Sequence, residues 1–195
     1  ARPSRGDIAV TARYVTVAGA PLLDETRFTF GWSPEAVSLR SGTASIGGGT
    51  VTLAVEECCS GALTDRRIAG QLTLNDVDIA AIAPAALAKG LSGRLSSGLQ
   101  FEGTGASLAD VVRGLSGEGN FAISGLAAQG LSPDVFPAIS GFEDVLNTEA
   151  DAIETLIGLA LGQGAFTADE AQGAFTIAGG TVRLANVIVA GNGAR

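Results

Sequence analysis

The residue types that enzymes most often use for proton transfer and metal binding are scarce in this chain. Its 195 residues include no histidine, two cysteines and one lysine. Without histidine, neither a Ser-His-Asp triad nor a Cys-His pair can form, and histidine-ligated zinc is excluded. Lys89 stands directly before Gly90 at a predicted helix end, where a cation complements the helix dipole. We therefore expect a structural role for Lys89, rather than a Ser-Lys catalytic pair, and no enzymatic activity.

Two glycine-bracketed runs, Gly103-Thr-Gly105 and Gly117-Glu-Gly119, raise the question of a phosphate-binding loop. A P-loop needs Lys and then Ser or Thr after its second glycine, because the lysine reaches the phosphates and the hydroxyl holds magnesium. Ala106-Ser107 follows the first run and Asn120-Phe121 follows the second. A dinucleotide-binding fingerprint would also need a parallel βαβ unit. The sequence thus predicts that these glycines form turns and bulges between strands.

Neighbouring carboxylates are the other candidates for acid–base chemistry. Hydrolysis needs two carboxylates that face each other across a substrate in different environments, whereas adjacent ones point apart. These pairs also lie at predicted element ends, where acids cap helices or solvate turns. The Asp-x-Asp pair lacks the following Asp/Asn-Gly and the distal Glu of a calcium loop. The pairs are Glu56-Glu57, Asp76 with Asp78, Glu143-Asp144 and Asp169-Glu170. We predict no catalytic, cofactor-binding or metal-binding residue.

The two cysteines, Cys58 and Cys59, are adjacent. Disulfide geometry is hard to reach across a single peptide bond. The preferred interpretation is therefore two small, half-buried residues at a strand end. A vicinal redox pair and an intermolecular bridge remain the alternatives, and the cysteine count alone does not indicate the compartment.

Charge and composition narrow the classes of partner. The net charge is −8 and the arginines are dispersed, so binding to nucleic acid, or to an anionic lipid surface by charge, is not expected.

Hydrophobic residues make up 46% of the chain. The longest apolar run, 79–88, is interrupted by Pro84 and is shorter than the roughly 18 residues of a membrane span. We expect one domain over 1–195, and, because the sequence lacks a signal peptide and any Met, a fragment of a longer protein.

Alternation of apolar and polar residues dominates the chain and predicts about ten antiparallel strands with one apolar face. In 91–102, for example, Leu91, Leu95, Leu99 and Phe101 share a face opposite Ser92, Arg94, Ser96, Gln100 and Glu102. A turn at Gly179-Gly180 is predicted between the last two strands. The other apolar sets are Ile8, Val10 and Tyr14; Phe28, Phe30 and Trp32; Val37 and Leu39; Val51, Leu53 and Val55; Ile68, Leu72 and Leu74; Phe121 and Ile123; Phe175 and Ile177; and Val182 to Val189.

Helical spacing appears in three segments: Asp76 to Lys89, Ser107 to Arg113 with Gly114 as its stop, and Thr148 to Leu161. The segment 131–147 carries Pro133 and Pro137 and is predicted to be partly helical at most. The fold class is therefore mostly β (α+β): an antiparallel, curved sheet or sheets with a few amphipathic helices covering one face.

One long segment resembles the C-terminal region of the AsmA family. It is 68–124, IAGQLTLNDVDIAAIAPAALAKGLSGRLSSGLQFEGTGASLADVVRGLSGEGNFAIS. The closing GAFTIAGGTVRLANVIVAG, 173–191, resembles the final strand pair of that family, so that 66–195 carries the likeness. Ser124 to Gly130 is only a loose version of the family's Asp-Gly-x-Leu-x-Gly motif, and the family's amino-terminal membrane helix is missing. The matching motifs are Asp78-Ile-Ala-Ala81, Leu91-Ser-Gly-Arg-Leu95, Gly103-Thr-Gly-Ala-Ser-Leu108 and Leu115-Ser-Gly-Glu-Gly119.

The resemblance implies a bacterial envelope protein, anchored in the inner membrane by a segment absent from this sequence, with its bulk in the periplasm. The family is linked to outer-membrane biogenesis and is similar to bridge-like lipid transfer proteins, in which β-sheets form a hydrophobic groove. It brings no catalytic residue and no cofactor. Phospholipid, or another ligand with acyl chains, is the implied partner, and other envelope proteins are further possible partners.

The apolar strand faces need cover, and two arrangements provide it. Two sheets can close on each other as a sandwich, which would suit a structural or docking module of the envelope without a lipid ligand. Alternatively, an open sheet can line a groove for acyl chains, which is the preferred hypothesis. The candidate groove residues are Leu91, Leu95, Leu99, Phe101, Phe121 and Ile123.

Overall fold

A computed structural model describes residues 5–16, 22–58, 67–133, 150–162 and 164–191. Within these ranges the chain forms nine strands of 10 to 14 residues. The strands are β1 (Gly6–Thr16), β2 (Leu22–Trp32), β3 (Ala36–Ile46), β4 (Gly49–Cys58), β5 (Arg67–Asp78), β6 (Leu91–Thr104), β7 (Ser116–Gln129), β8 (Ala165–Ala178) and β9 (Thr181–Ala190).

The nine strands form one antiparallel sheet in which each strand pairs only with its neighbours along the chain, in the order β1 to β9. The sheet is curved and unclosed, so β1 and β9 are its edges. This confirms the predicted fold class. The two-sheet sandwich that the sequence also allowed is not formed by the described residues, because all their strands belong to this single sheet.

Tight turns and bulges shape the sheet at residues with a positive φ. Gly47-Gly48 joins β3 to β4, and the predicted turn at Gly179-Gly180 joins β8 to β9. Only glycine adopts these left-handed conformations at no steric cost. Bulges interrupt the ladders at Asp76 in β5 (φ 53°) and at Gly125 in β7 (φ 61°), where the pairing register with β6 shifts.

In the described part of the chain, four helices accompany the sheet: α1 (Ile79–Ile82), α2 (Ala85–Ala88), α3 (Leu108–Arg113) and α4 (Ala150–Gly162). The prediction for 107–113 is confirmed, with Ser107 as the N-cap and Gly114 as the C-cap. Helix α4 confirms the described part of the predicted 148–161 helix, whereas 148–149 and most of 131–147 lie outside the described residues. Lys89 caps the end of α2, as predicted.

The predicted helix from Asp76 to Lys89 is wrong in two respects. Asp76, Val77 and Asp78 are the end of β5, and the bulge at Asp76 breaks the alternation from which a strand is recognised. The remainder is two short helices, because Pro84 lacks the N–H that a continuous helix needs.

Candidate functional site

The strand register places apolar side chains from all nine strands on one face of the sheet. Residues directly opposite each other in neighbouring strands point to the same side, because side chains alternate between the two faces. One cross-strand row therefore runs from the first strand to the last, and every member is apolar or glycine. This row 1 consists of Ile8, Phe30, Leu39, Val55, Gly70, Phe101, Gly117, Ile177 and Val182.

A second row lies on the same face from β3 to β9, two residues from row 1 on each strand except β3, where a bulge makes the spacing three. This row 2 consists of Gly42, Leu53, Leu72, Leu99, Gly119, Phe175 and Leu184. Rows 1 and 2 together are termed the apolar face. At about 4.8 Å between neighbouring strands, the eight spacings of row 1 extend about 38 Å across the sheet.

A cavity of about 760 Å³ spans six successive strands, β3 to β8, on the side of the sheet opposite the apolar face. Its lining includes row 1 residues from Leu39 to Ile177 but no row 2 residue. The other lining residues stand directly before or after a row 1 residue and therefore point to the opposite face, among them Arg40, Gln71 and Gln100. Since the sheet is curved, strands that are far apart in the meander contribute to one cavity.

The structure brings together most of the groove residues that the sequence predicted. Leu99 belongs to row 2 and Phe101 to row 1, while Leu95 lies opposite Ile123. Phe121 lies opposite Ser97, and Leu91 lies at the start of β6, opposite Ala128. All six predicted residues are half-buried. Sequence reasoning identified this central segment but missed the continuation of the rows to both sheet edges, which depends on the register.

The glycines of the apolar face accommodate aromatic rings from the adjacent strand. A Cβ atom added at Gly70 would lie 2.5 Å from Cζ of Phe101, and one added at Gly119 would lie 2.5 Å from Cζ of Phe175. Each ring lies directly opposite its glycine in the register. The same arrangement pairs Gly173 with Phe121 and Gly6 with Trp32. At these four places a ring on one strand thus occupies the space above a glycine on the next.

This finding corrects the interpretation of the glycine-bracketed runs. Gly103 lies within β6, and Gly117 and Gly119 lie within β7, so these three glycines are strand residues rather than turns. Gly105 alone lies in a connection, before α3. For Gly119 the missed signal was Phe175 on the neighbouring strand, which can be matched to this glycine only when the register is known.

Short helices cover the two ends of the apolar side of the sheet and leave its centre uncovered within the described chain. Ile79 of α1 packs near Gly93 at one end, and Val111 of α3 packs against Gly103 at the other. The buried apolar residues lie towards these ends: Ala44, Ile46, Val77, Ile79, Ala168 and Ala171 at one, Val111 at the other. Between them, the side chains of the apolar face are half-buried, except for Ile8, Phe30, Val182 and Leu184 in the outer strands β1, β2 and β9, which are exposed.

Arg94 fixes the bulge of β5 at one end of the sheet. Its Nε donates to Oδ1 of Asp76 at 3.0 Å and its Nη2 to Oδ2 at 2.7 Å, while Nη1 donates to the carbonyl of Gly47 at 3.0 Å. These hydrogen bonds lower the pKa of the Asp76 carboxyl, against an opposing effect of desolvation, and raise the pKa of Arg94. One guanidinium therefore links β6, β5 and the β3–β4 turn.

The prediction that the carboxylate pairs lie at element ends is confirmed for Glu56-Glu57 in β4 and for Asp76 with Asp78 in β5, but it is wrong for Asp169 and Glu170, which lie inside β8. Asp78 caps α1 by accepting a hydrogen bond from the N–H of Ala80 at 3.0 Å. Glu56 is exposed while Glu57 is half-buried, as expected for adjacent strand residues on opposite faces. Asp169 and Glu170 are both exposed in β8. Glu143 and Asp144 lie outside the described residues.

The opposite face of the sheet carries most of the charged and amide side chains, although Glu57, opposite Val37 and Ile68, lies on the side of row 1. Arg40 pairs there with Asp7, and Arg67 pairs with Glu102, each pair joining different strands. These four side chains are more than half exposed. Solvent therefore screens both ion pairs, and neither pair resembles a buried catalytic dyad. Rows 1 and 2 thus differ chemically from the face of the sheet opposite them.

Cys58 lies half-buried at the end of β4, as predicted, but it is disulfide-bonded. The interpretation of the cysteines as simple packing residues is therefore wrong for Cys58. The only other cysteine in the sequence is Cys59.

No group of three or more potential metal-binding side chains occurs within the described ranges, and none of the helices described is long and apolar enough to cross a bilayer. The likeness to the AsmA family rests on the sequence motifs alone. No family model, curated protein or solved structure matches the chain.

Proposed function

We propose that the apolar face binds the acyl chains of phospholipid and guides them across the sheet without a chemical step. The observation that carries this proposal is row 1, in which nine successive strands contribute only apolar residues or glycine to one continuous line. A line of that length is not needed to bury a small core. It suits a ligand that is itself long and apolar.

The energetics favour such a ligand. Transferring an acyl chain from water to an apolar environment is favourable by about 0.8 kcal/mol per CH₂ group. The half-buried side chains of the apolar face still expose surface that acyl contact would remove from water. Because neighbouring rows offer chemically similar contacts, displacement of the chain along the face changes the free energy little.

The aromatic–glycine pairs support movement along the face. Phe101 lies over Gly70 and Phe175 over Gly119, so the rings lie along the sheet instead of standing above it. A surface without tall side chains presents few steric barriers to a flexible chain. The headgroup would remain in water, because the rows contain no charged residue to receive it.

A location in the bacterial periplasm, with an anchor in the inner membrane and a role in outer-membrane biogenesis, is the further part of the proposal. Its support is the sequence likeness to the AsmA family. The disulfide at Cys58 agrees with it, because disulfides persist in oxidising compartments such as the periplasm.

The test is native mass spectrometry of the purified chain after mixing with phosphatidylethanolamine in mild detergent. The wild type should carry lipid, and Leu99→Asp should not, because it places a carboxylate in the centre of row 2. The matched control is Gln100→Asp, the next residue on the same strand, which is exposed on the polar face. Circular dichroism of both variants would show that the sheet remains folded.

Lipid bound by the wild type and by Gln100→Asp, but lost from folded Leu99→Asp, would support the proposal. Absence of lipid from the wild type, or equal binding by both variants, would contradict it. In that case a module that docks envelope proteins, the alternative raised by the sequence, would become the better account.

A further inference from the structure

Strand β9 is an unusually unprotected sheet edge. All ten of its residues are exposed, and within the described residues it pairs only with β8. Its sequence, TVRLANVIVA, contains one charged residue, Arg183, and no proline. Edge strands normally carry charges or proline that prevent pairing with another chain, because their free N–H and C=O groups are a template for a further strand.

The other edge is better protected. Strand β1 contains both Asp7 and Arg13, and Asp7 is held in an ion pair with Arg40 of β3. Charges of both signs on an edge disfavour pairing with an apolar strand. Of the two edges, β9 is therefore the one with the composition of a paired strand.

We propose that β9 pairs antiparallel with β9 of a second copy of this chain. The strand is complementary to itself in one register, which places Val182 opposite Val189 and Leu184 opposite Val187. Val182 and Leu184 lie in rows 1 and 2, and Val189 lies opposite Ala171 of β8, on the same face. Every apolar-face residue of one copy thereby meets an apolar-face residue of the other.

The same register also accommodates Arg183, the one charged residue of β9, and the bulge of the strand. Arg183 lies opposite Ile188 of the second copy, so the two arginines do not oppose each other. The bulge at Asn186 (φ 52°) falls at the two-fold axis, between two ladder segments that pair 181–184 with 187–190. An isologous interface of this type needs only one surface patch on each copy.

The resulting dimer would have one continuous sheet with nine strands from each copy. Because the two-fold axis is normal to the sheet, both apolar faces lie on the same side, and row 1 continues from one copy into the next. Pairing through backbone hydrogen bonds with alternate side chains in register is the established mode of β-strand addition. The pairing does not require lipid, so it can be tested separately from the proposed function.

The first test is the mass of the chain by light scattering over a series of concentrations, in the absence of lipid. Leu184→Lys should raise the concentration at which the dimer dissociates by at least about tenfold, equivalent to about 1.4 kcal/mol. Ile8→Lys is the matched control on the other edge, because Ile8 is 53% exposed and Leu184 is 64% exposed. It should leave the dimer intact.

The register is tested by disulfide trapping. The double variant Val182→Cys/Val189→Cys should form a covalent dimer on oxidation, whereas neither single variant should. A monomer at all concentrations, or a dimer sensitive to Ile8→Lys and not to Leu184→Lys, would overturn the proposal. Equal trapping by the single variants would overturn the register. If lipid fails to bind a chain that still dimerises in this way, only the proposed function is lost.

Discussion

At the scale of single residues, the aromatic–glycine pairs restrict most strictly which residue can occupy a position. Gly70 has no room for a methyl group, because its Cβ would lie 2.5 Å from the Phe101 ring and 2.7 Å from the carbonyl of Ala54. Gly98, in the middle of β6, has only the Asn120 side chain near it, at 3.7 Å. These two glycines in adjacent central strands thus differ in the space that is available for an added Cβ atom.

We expect Gly70→Ala to lower the free energy of unfolding by about 1–3 kcal/mol, as overpacking does in a close-packed site. Gly98→Ala should leave the stability unchanged or raise it by up to about 1 kcal/mol, since alanine loses less entropy on folding than glycine. Urea unfolding of both variants gives the comparison. Equal destabilisation by the two substitutions would show that the ring of Phe101 does not occupy the space above Gly70.

The Arg94–Asp76 ion pair predicts a dependence of stability on pH. Since the folded-state pKa of Asp76 is lowered, the pair stabilises the fold above the ordinary carboxyl pKa, and this contribution is lost as the pH falls through the folded-state pKa. Asp76→Asn should therefore unfold more easily than the wild type at neutral pH. In acid the two proteins should become alike, because the protonated carboxyl and the amide are both neutral.

The measurement is urea unfolding across this pH range, with Asp169→Asn as the control for a carboxylate exposed in β8. A stability difference between Asp76→Asn and the wild type that persists unchanged in acid would mean that the negative charge is not what Arg94 recognises.

At the scale of elements, alternation predicted where strands lie because a half-buried strand exposes every second residue. It could not predict the register, which depends on turn lengths and bulges such as those at Asp76 and Gly125. The helix predicted from Asp76 failed for this reason. Of the candidate site, the half-buried leucines and phenylalanines of β6 and β7 could be identified, but their extension to Ile8 and Val182 required the pairing of all nine strands.

The bulge in β7 allows a test of how much the stability of this strand depends on the left-handed backbone conformation of Gly125. Gly125 has a φ of 61°, and a Cβ added there would meet nothing within 4 Å. Gly125→Val should therefore destabilise the protein by about 1–2 kcal/mol through backbone strain alone. Gly125→Asn should lose less, because asparagine tolerates the left-handed region. Thermal unfolding of both variants measures the two losses of stability and so distinguishes backbone strain from steric clash. Equal losses for the Val and Asn variants would contradict the positive φ of Gly125.

At the scale of the whole molecule, an open meander has a gradient of stability from its centre to its edges. The central strands have neighbours on both sides, whereas β1 and β9 have one neighbour each within the described residues. Sequence alone cannot distinguish this open sheet from a closed one, because both use strands with the same alternation. The difference lies only in whether the first and last strands meet.

Amide hydrogen exchange distinguishes the two cases. In the monomeric Leu184→Lys variant, we expect protection to be highest in β5 to β7 and to decline towards β1 and β9. In the wild-type dimer, β9 should gain protection while β1 should not. Uniform protection of all nine strands in the monomer would indicate that β1 and β9 pair and that the sheet is closed.

The meander also dictates the order in which the chain can assemble. Most strands join a neighbour across a short connection, but β7 and β8 are separated by residues 130–164. Closing that long connection costs more chain entropy than closing the short turn at Gly179-Gly180, since the cost rises with loop length. Pairing of β8 with β7 should therefore come late in folding, so that the apolar rows become continuous only when the β8–β9 hairpin joins the rest of the sheet.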